Sequence, residues 1–165
     1  MDDDGDLDAF VANNSQANKV YINDGNGTFT DSGQSLGASW SDGVELGDVD
    51  DDGDLDAFVS NNGQANKVWI NDGNGTFTDS GQSLGSSGSW GVELNDVDGD
   101  GDLDAFVNNH NQGSKVWIND GNGTFTDSGQ SLGSSNSYGV KLSDVDDDGD
   151  LDAFVDNDGG QGNKV

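Results

Sequence analysis

Repetition constrains this chain more than any other feature. Asp4-Gly5, Asp52-Gly53, Asp100-Gly101 and Asp148-Gly149 follow one another at intervals of 48 residues without insertion. A period of this size marks architectures that stack copies of one supersecondary unit. From Asp2 there are three complete units, 2–49, 50–97 and 98–145, then a partial fourth at 146–165. The stretch 19–37 recurs at 67–85 and 115–133, with only Tyr21 exchanged, for Trp69 and Trp117.

Within a unit every local signal is β. Residues 54–59 alternate, placing Leu55, Ala57 and Val59 on one face and Asp56 with Phe58 on the other. Residues 67–71 alternate likewise, and Asp72-Gly73-Asn74-Gly75 tolerates the positive φ of a hairpin turn leading into a third strand at 76–78. Trp90-Gly91-Val92-Glu93-Leu94 reads as a fourth strand running into the next Asp-rich loop. No segment carries the 3.6-residue apolar period of a helix.

Four strands in such a unit match one β-propeller blade. The expected fold is therefore all-β: tandem four-stranded blades forming a propeller or part of one. Fourteen strands are expected, beginning after the first strand of one blade and ending in the third strand of another. Propellers close with roughly four to eight blades. Pairing of chains, a longer array and an open stack thus stay open as alternatives.

Composition says what must hold such blades together. Only 30% of the 165 residues are hydrophobic, 27 are glycine and none is cysteine, so the core is thin and no disulfide staples it. A bound cation is the remaining crosslinking agent. The net charge of −28 argues against nucleic acid and anionic membrane as partners. Only Glu45 and Glu93 are glutamates; the other 31 of 33 acids are aspartates. Simple solvation has no reason to shun glutamate, whereas a tight cation-wrapping loop favours the shorter carboxylate. No apolar run is long enough for a membrane span, and Met1-Asp2-Asp3-Asp4 is the reverse of a signal sequence. The expected setting is extracellular or the cell surface, with any leader removed or lying upstream.

The acids cluster as D-x-D-x-D-G-x-x-D. Asp48, Asp50, Asp52 and Asp56 occupy loop positions one, three, five and nine, as do Asp96, Asp98, Asp100 and Asp104, and Asp144, Asp146, Asp148 and Asp152. Ca²⁺ takes six to eight oxygens, and alternate residues of a curling loop aim carboxylates at one point. Gly53, Gly101 and Gly149 permit the sharp turn. The seventh residue, Asp54, Asp102 or Asp150, is read as offering its backbone carbonyl, and the ninth as chelating with both oxygens. Position four, Asp51, Gly99 or Asp147, is read as facing solvent. Two carboxylates about 4 Å apart repel by roughly 4 kcal/mol at an effective dielectric near 20, so metal-free loops should splay. The first copy offers Asp2, Asp4, Asp6 and Asp8 but nothing for position one. The expectation is three complete Ca²⁺ sites and one partial. An EF-hand is ruled out because its twelfth position is Val59, Val107 or Val155 rather than Glu, and because strands flank the loop.

The combination of these loops with Asn-Asp-Gly-Asn-Gly-Thr-Phe turns in a 48-residue unit resembles the FG-GAP and VCBS repeats, which include the integrin α-subunit propeller. The likeness covers essentially the whole chain. It implies calcium in the hairpin between the first two strands of each blade, here 48–56 and its copies. The Phe-Gly and Gly-Ala-Pro signatures are missing and the chain has no proline, which makes the bacterial VCBS-like branch the closer likeness. The resemblance implies adhesion, lectin activity or a display scaffold.

Other features read as structure. Tyr21, Trp69 and Trp117 share one repeat position, as do Trp90 and Tyr138, and Trp40 lies two residues earlier than its counterparts. Packing between blades is the commoner use of such rings, and stacking on sugar the alternative. Asn26, Asn74 and Asn122 sit in Asn-Gly-Thr sequons. His110 is the sole histidine, so neither a general base nor a zinc site is expected, and no catalytic residue is assigned. The function expected is a calcium-binding structural or adhesive module. The alternatives are a carbohydrate-binding propeller and a scaffold without specific ligand. Expected partners are further copies of the chain, completing a propeller or filament, and a glycan or protein ligand.

Overall fold

The computed structural model describes residues 1–133, 136–157 and 162–163. Among these the chain is all-β, with thirteen strands in four antiparallel sheets. The fourteenth strand, expected at the chain end, lies outside the described residues. β1 (Ala9–Val11), β2 (Lys19–Asn23) and β3 (Phe29–Asp31) form the first sheet. The next two sheets have four strands each. One joins β4 (Ser41–Gly47), β5 (Asp56–Asn61), β6 (Lys67–Asn71) and β7 (Phe77–Asp79); the other joins β8 (Gly88–Asn95), β9 (Asp104–His110), β10 (Lys115–Asn119) and β11 (Phe125–Asp127). β12 (Ser137–Ser143) and β13 (Asp152–Asn157) form the last. The strand before each Asp-rich loop pairs with the strand after it, so each loop closes the first hairpin of a blade.

The Asn-Asp-Gly-Asn-Gly hairpin forms where expected. In the turn after β6, Asp72 N–H donates to the Thr76 carbonyl at 3.1 Å. Its Oδ1 accepts from the N–H groups of Asn74 and Thr76 at 3.0 and 3.2 Å. Gly73 has φ +75°, and a β-carbon there would collide with the Asp54 carboxylate.

The alternation in β5 separates two faces as expected, yet both are buried. Ala57 and Val59 pack with Val20, Trp69 and Phe77 against the preceding blade. Phe58 and Val68 pack with Ala105, Val107, Trp117 and Phe125 of the following one. Leu55, expected beside Ala57, lies before the strand and is exposed. Blades therefore stack front to back, and each interface buries one side chain set of each neighbour. Phe58 and Phe125 meet edge to face across the interface with centroids 5.3 Å apart. Trp69 and Trp117 are buried here too, which assigns them to packing.

Candidate metal centre

Each complete loop is a compact, hydrogen-bonded turn. Asp48 Oδ2 accepts from Gly53 N–H at 3.0 Å, and Gly53 takes φ +97°. Gly101 and Gly149 repeat this arrangement with Asp96 and Asp144, both at 3.0 Å. The residue at position four is also left-handed, Asp51 at φ +61°, Gly99 at +81° and Asp147 at +62°. Aspartate tolerates that conformation and glycine prefers it, which explains why only these two residue types occur there.

The curl brings one oxygen each from Asp48, Asp50 and Asp56 within 4.8 Å of one another, and does the same for Asp96, Asp98 and Asp104 and for Asp144, Asp146 and Asp152. Three of the four positions singled out in the sequence thus converge. The fifth-position residues lie outside these triads. Asp52 Oδ1 accepts from Asp54 N–H at 2.9 Å, and Asp100 and Asp148 do the same toward Asp102 and Asp150 at 3.0 Å. The seventh-position side chains turn away from the loop: Asp54 and Asp102 lie against Gly73 and Gly121 of the following turn. In the first loop Asp2 and Asp4 take part in the same turn hydrogen bonds. Asp6 lies against Gly25, and the Met1 ammonium sits 3.3 Å from Asp8 Oδ2.

The ninth-position aspartate is the anchor. Asp56 is fully buried; its Oδ2 accepts from Val49 N–H at 3.1 Å and its Oδ1 from Asn71 N–H at 2.8 Å. Burial outweighs these bonds and pushes its pKa up to about 6, with Asp50 and Asp52 adding to the rise. Asp104, bonded to Val97 and Asn119 in the same way, is also raised by burial. Asp50 is raised by burial and then by the charges of Asp52 and Asp48. In the first loop burial also pushes upward on Asp8, but hydrogen bonds from Asn23, the amino terminus and Asp2 leave it below the usual range.

The residues present fit a cation. Asp48 Oδ1 and Asp50 Oδ1 are buried and find no hydrogen-bond partner among the described residues. Buried acceptors are rarely left so, and here two lie beside a third buried carboxylate, giving an arrangement that is uncompensated without positive charge. The donor set is all oxygen, which suits a hard cation.

The family model for the FG-GAP-like repeat matches residues 1–59, 48–107 and 96–155, each match running from one Asp-rich loop through the strand after the next. The chain belongs to the FG-GAP repeat family. No curated protein matches it as a relative. Beyond the span of a single FG-GAP match, the first two loops are tied to the blade that follows, the first through Asn71 Nδ2, which donates to the Met1 carbonyl at 3.0 Å. The Val49 carbonyl accepts from Gly123 N–H and from Asn119 Nδ2, both at 2.8 Å. Sequence reasoning assigned no role to Val49 or Asn119. The available signal was a valine at the same place in every complete acidic loop, Val49, Val97 and Val145, where solvation alone would favour a polar residue.

Proposed function

We propose that this FG-GAP chain is a calcium-dependent structural module of the adhesive kind, acting outside the cell, in which Ca²⁺ in three Asp-rich loops locks the first hairpin of each blade. The two buried, unpartnered oxygens of Asp48 and Asp50 beside Asp56 carry this reading. A dense set of carboxylate oxygens favours Ca²⁺, which takes six to eight oxygen ligands, over Mg²⁺, which demands a stricter octahedron. A cation that binds only the folded chain stabilises it by about 1.4 kcal/mol per site at ten times Kd, so three sites acting together decide whether so thin a core stays folded. Calorimetric titration with Ca²⁺, paired with thermal melts followed by circular dichroism, tests it. Three cations per chain and a melting temperature that falls on chelation are expected; an unchanged melt in chelator refutes the structural role.

Self-association is the second element of the proposal. Blade stacking is front to back, a heterologous contact that propagates. Val49 is 1% exposed under its neighbouring blade, while the equivalent Val145 is 59% exposed; Phe29 is exposed where Phe77 and Phe125 are buried. A blade from a second copy of this chain carries the face that fits each. Sedimentation equilibrium with and without Ca²⁺ is expected to show association in Ca²⁺ alone, and a strict monomer at high concentration in both states overturns this part.

A further inference from the structure

The strands that precede the Asp-rich loops, β4, β8 and β12, carry a second site at the blade end away from those loops. Their bulges create it. In β4, β8 and β12 the pairing register shifts between Ser41 and Gly43, between Ser89 and Gly91, and between Ser137 and Gly139. The extra residue at each shift is Asp42, Trp90 and Tyr138, one repeat position in three successive blades. A bulge leaves its extra residue out of the ladder and re-aims the side chain. The glycines after the first two bulges let neighbouring strands close in: a β-carbon on Gly43 would stand 3.1 Å from the Trp90 carbonyl oxygen, and one on Gly91 3.5 Å from that of Tyr138.

As a result Asp42, Trp90 and Tyr138 line one open cleft of about 350 Å³. Each side chain is held by its surroundings. Asn62 Nδ2 donates to Asp42 Oδ2 at 3.0 Å and Asn14 Nδ2 to its Oδ1 at 3.4 Å. His110, the repeat equivalent of Asn62, instead stacks on Trp90, with centroids 4.3 Å apart and planes 9° apart. Tyr138 is 45% exposed and lies 4.3 Å from Trp90 at a tilt of 54°. Units that are otherwise nearly identical therefore diverge where three blades meet, and they diverge in matched pairs: carboxylate with amide, indole with imidazole.

The geometry points to a binding site for a small organic cation of the alkyltrimethylammonium class, with Asp42 supplying the counter-charge and the Trp90 and Tyr138 rings the cation–π surface. Two π systems beside one carboxylate, on a chain of net charge −28, form an environment selective for a weakly hydrated cation. The site is independent of the metal loops, so it stands or falls separately from the calcium reading.

The test is NMR titration of the full chain, saturated with Ca²⁺ so that the Asp-rich loops do not report. The probes are choline, its uncharged isostere 3,3-dimethyl-1-butanol and methyl glucoside. Choline is expected to shift the Trp90, Tyr138 and His110 resonances saturably, with the isostere weaker by roughly tenfold. Asp42→Asn, an exposed and nearly isosteric change, should weaken choline by a similar factor, as should Tyr138→Ala. Equal affinity for choline and the isostere overturns the proposal. So do choline shifts that Asn at position 42 leaves unchanged, and saturable binding of methyl glucoside without choline.

Discussion

The carbonyl oxygen of Val49 accepts a hydrogen bond from the side-chain amide of Asn119 at 2.8 Å, across the boundary between two blades. Val49 N–H meanwhile donates to Asp56, a member of the carboxylate triad that could hold a metal ion. One residue thus joins the candidate cation site of one blade to the hairpin of the next. Asn119→Ala is expected to cost about 1–3 kcal/mol in denaturant unfolding, because a buried carbonyl loses a partner. It should also weaken Ca²⁺ at the Asp48 loop, which lies in a different blade. Asn23→Ala is the control, since among the described residues that side-chain NH2 donates to the exposed Leu7 carbonyl of its own blade. Equal losses for the two variants sink the coupling.

Within the loop, charge and hydrogen bonding are separable. Asp50 Oδ1 is buried with no partner, whereas Asp56 holds two backbone N–H groups. Asp50→Asn should remove one cation from the calorimetric stoichiometry while leaving the metal-free protein as stable or slightly more so. Asp56→Ala should destabilise the chain by about 3 kcal/mol or more even in chelator. Asp51→Gly, at φ +61°, should change neither. An Asp50→Asn chain that still takes three cations would refute the ligand assignment.

The D-x-D-x-D-G-x-x-D spacing made the triads legible in sequence, because loop curl depends on local residue chemistry. The same spacing suggested four carboxylates; those at positions one, three and nine converge, while Asp52 Oδ1 accepts from the Asp54 N–H. Alternation in β5 located its two faces but could not reveal that both are covered, because period two measures difference between faces and says nothing about a second neighbour. The cleft was less legible still. Asp42, Trp90 and Tyr138 align by repeat, but only the bulges and the close approach at Gly43 show that the three side chains line one cleft.

Protons and metal should act in opposite directions. The folded-state pKa of Asp56 is raised to about 6 from an ordinary 3.8, and Asp50, Asp104 and Glu45 are raised as well, chiefly by burial. A carboxyl with a raised pKa binds its proton more tightly folded than unfolded. The metal-free chain therefore gains stability as pH falls from about 7 to about 4, with Asp56 alone contributing about 3 kcal/mol. With Ca²⁺ present, protonation of the same oxygens releases the cation, and stability should fall over that window. Urea midpoints at pH 7 and pH 5, with and without chelator, check this. A metal-free chain less stable at pH 5 than at pH 7 contradicts the raised carboxyls.

Blade contact also depends on a side chain that imitates backbone. Gln82 Oε1 accepts from Phe125 N–H at 2.8 Å and its Nε2 donates to the Gly123 carbonyl at 2.7 Å, and Gln34 repeats both bonds toward Phe77 and Gly75. The amide needs one donor and one acceptor, which a carboxylate does not supply. Gln82→Glu sets a negative oxygen against the Gly123 carbonyl and should cost about 1–3 kcal/mol at neutral pH. The loss should largely disappear below pH 4, where the protonated acid donates again. Gln130→Glu, at the equivalent exposed position, is expected to stay within about 0.5 kcal/mol of the parent. Denaturant unfolding of both variants across pH reads the difference, and a pH-independent loss for Gln82→Glu would mean that the clasp acts through shape rather than through its donated hydrogen bond.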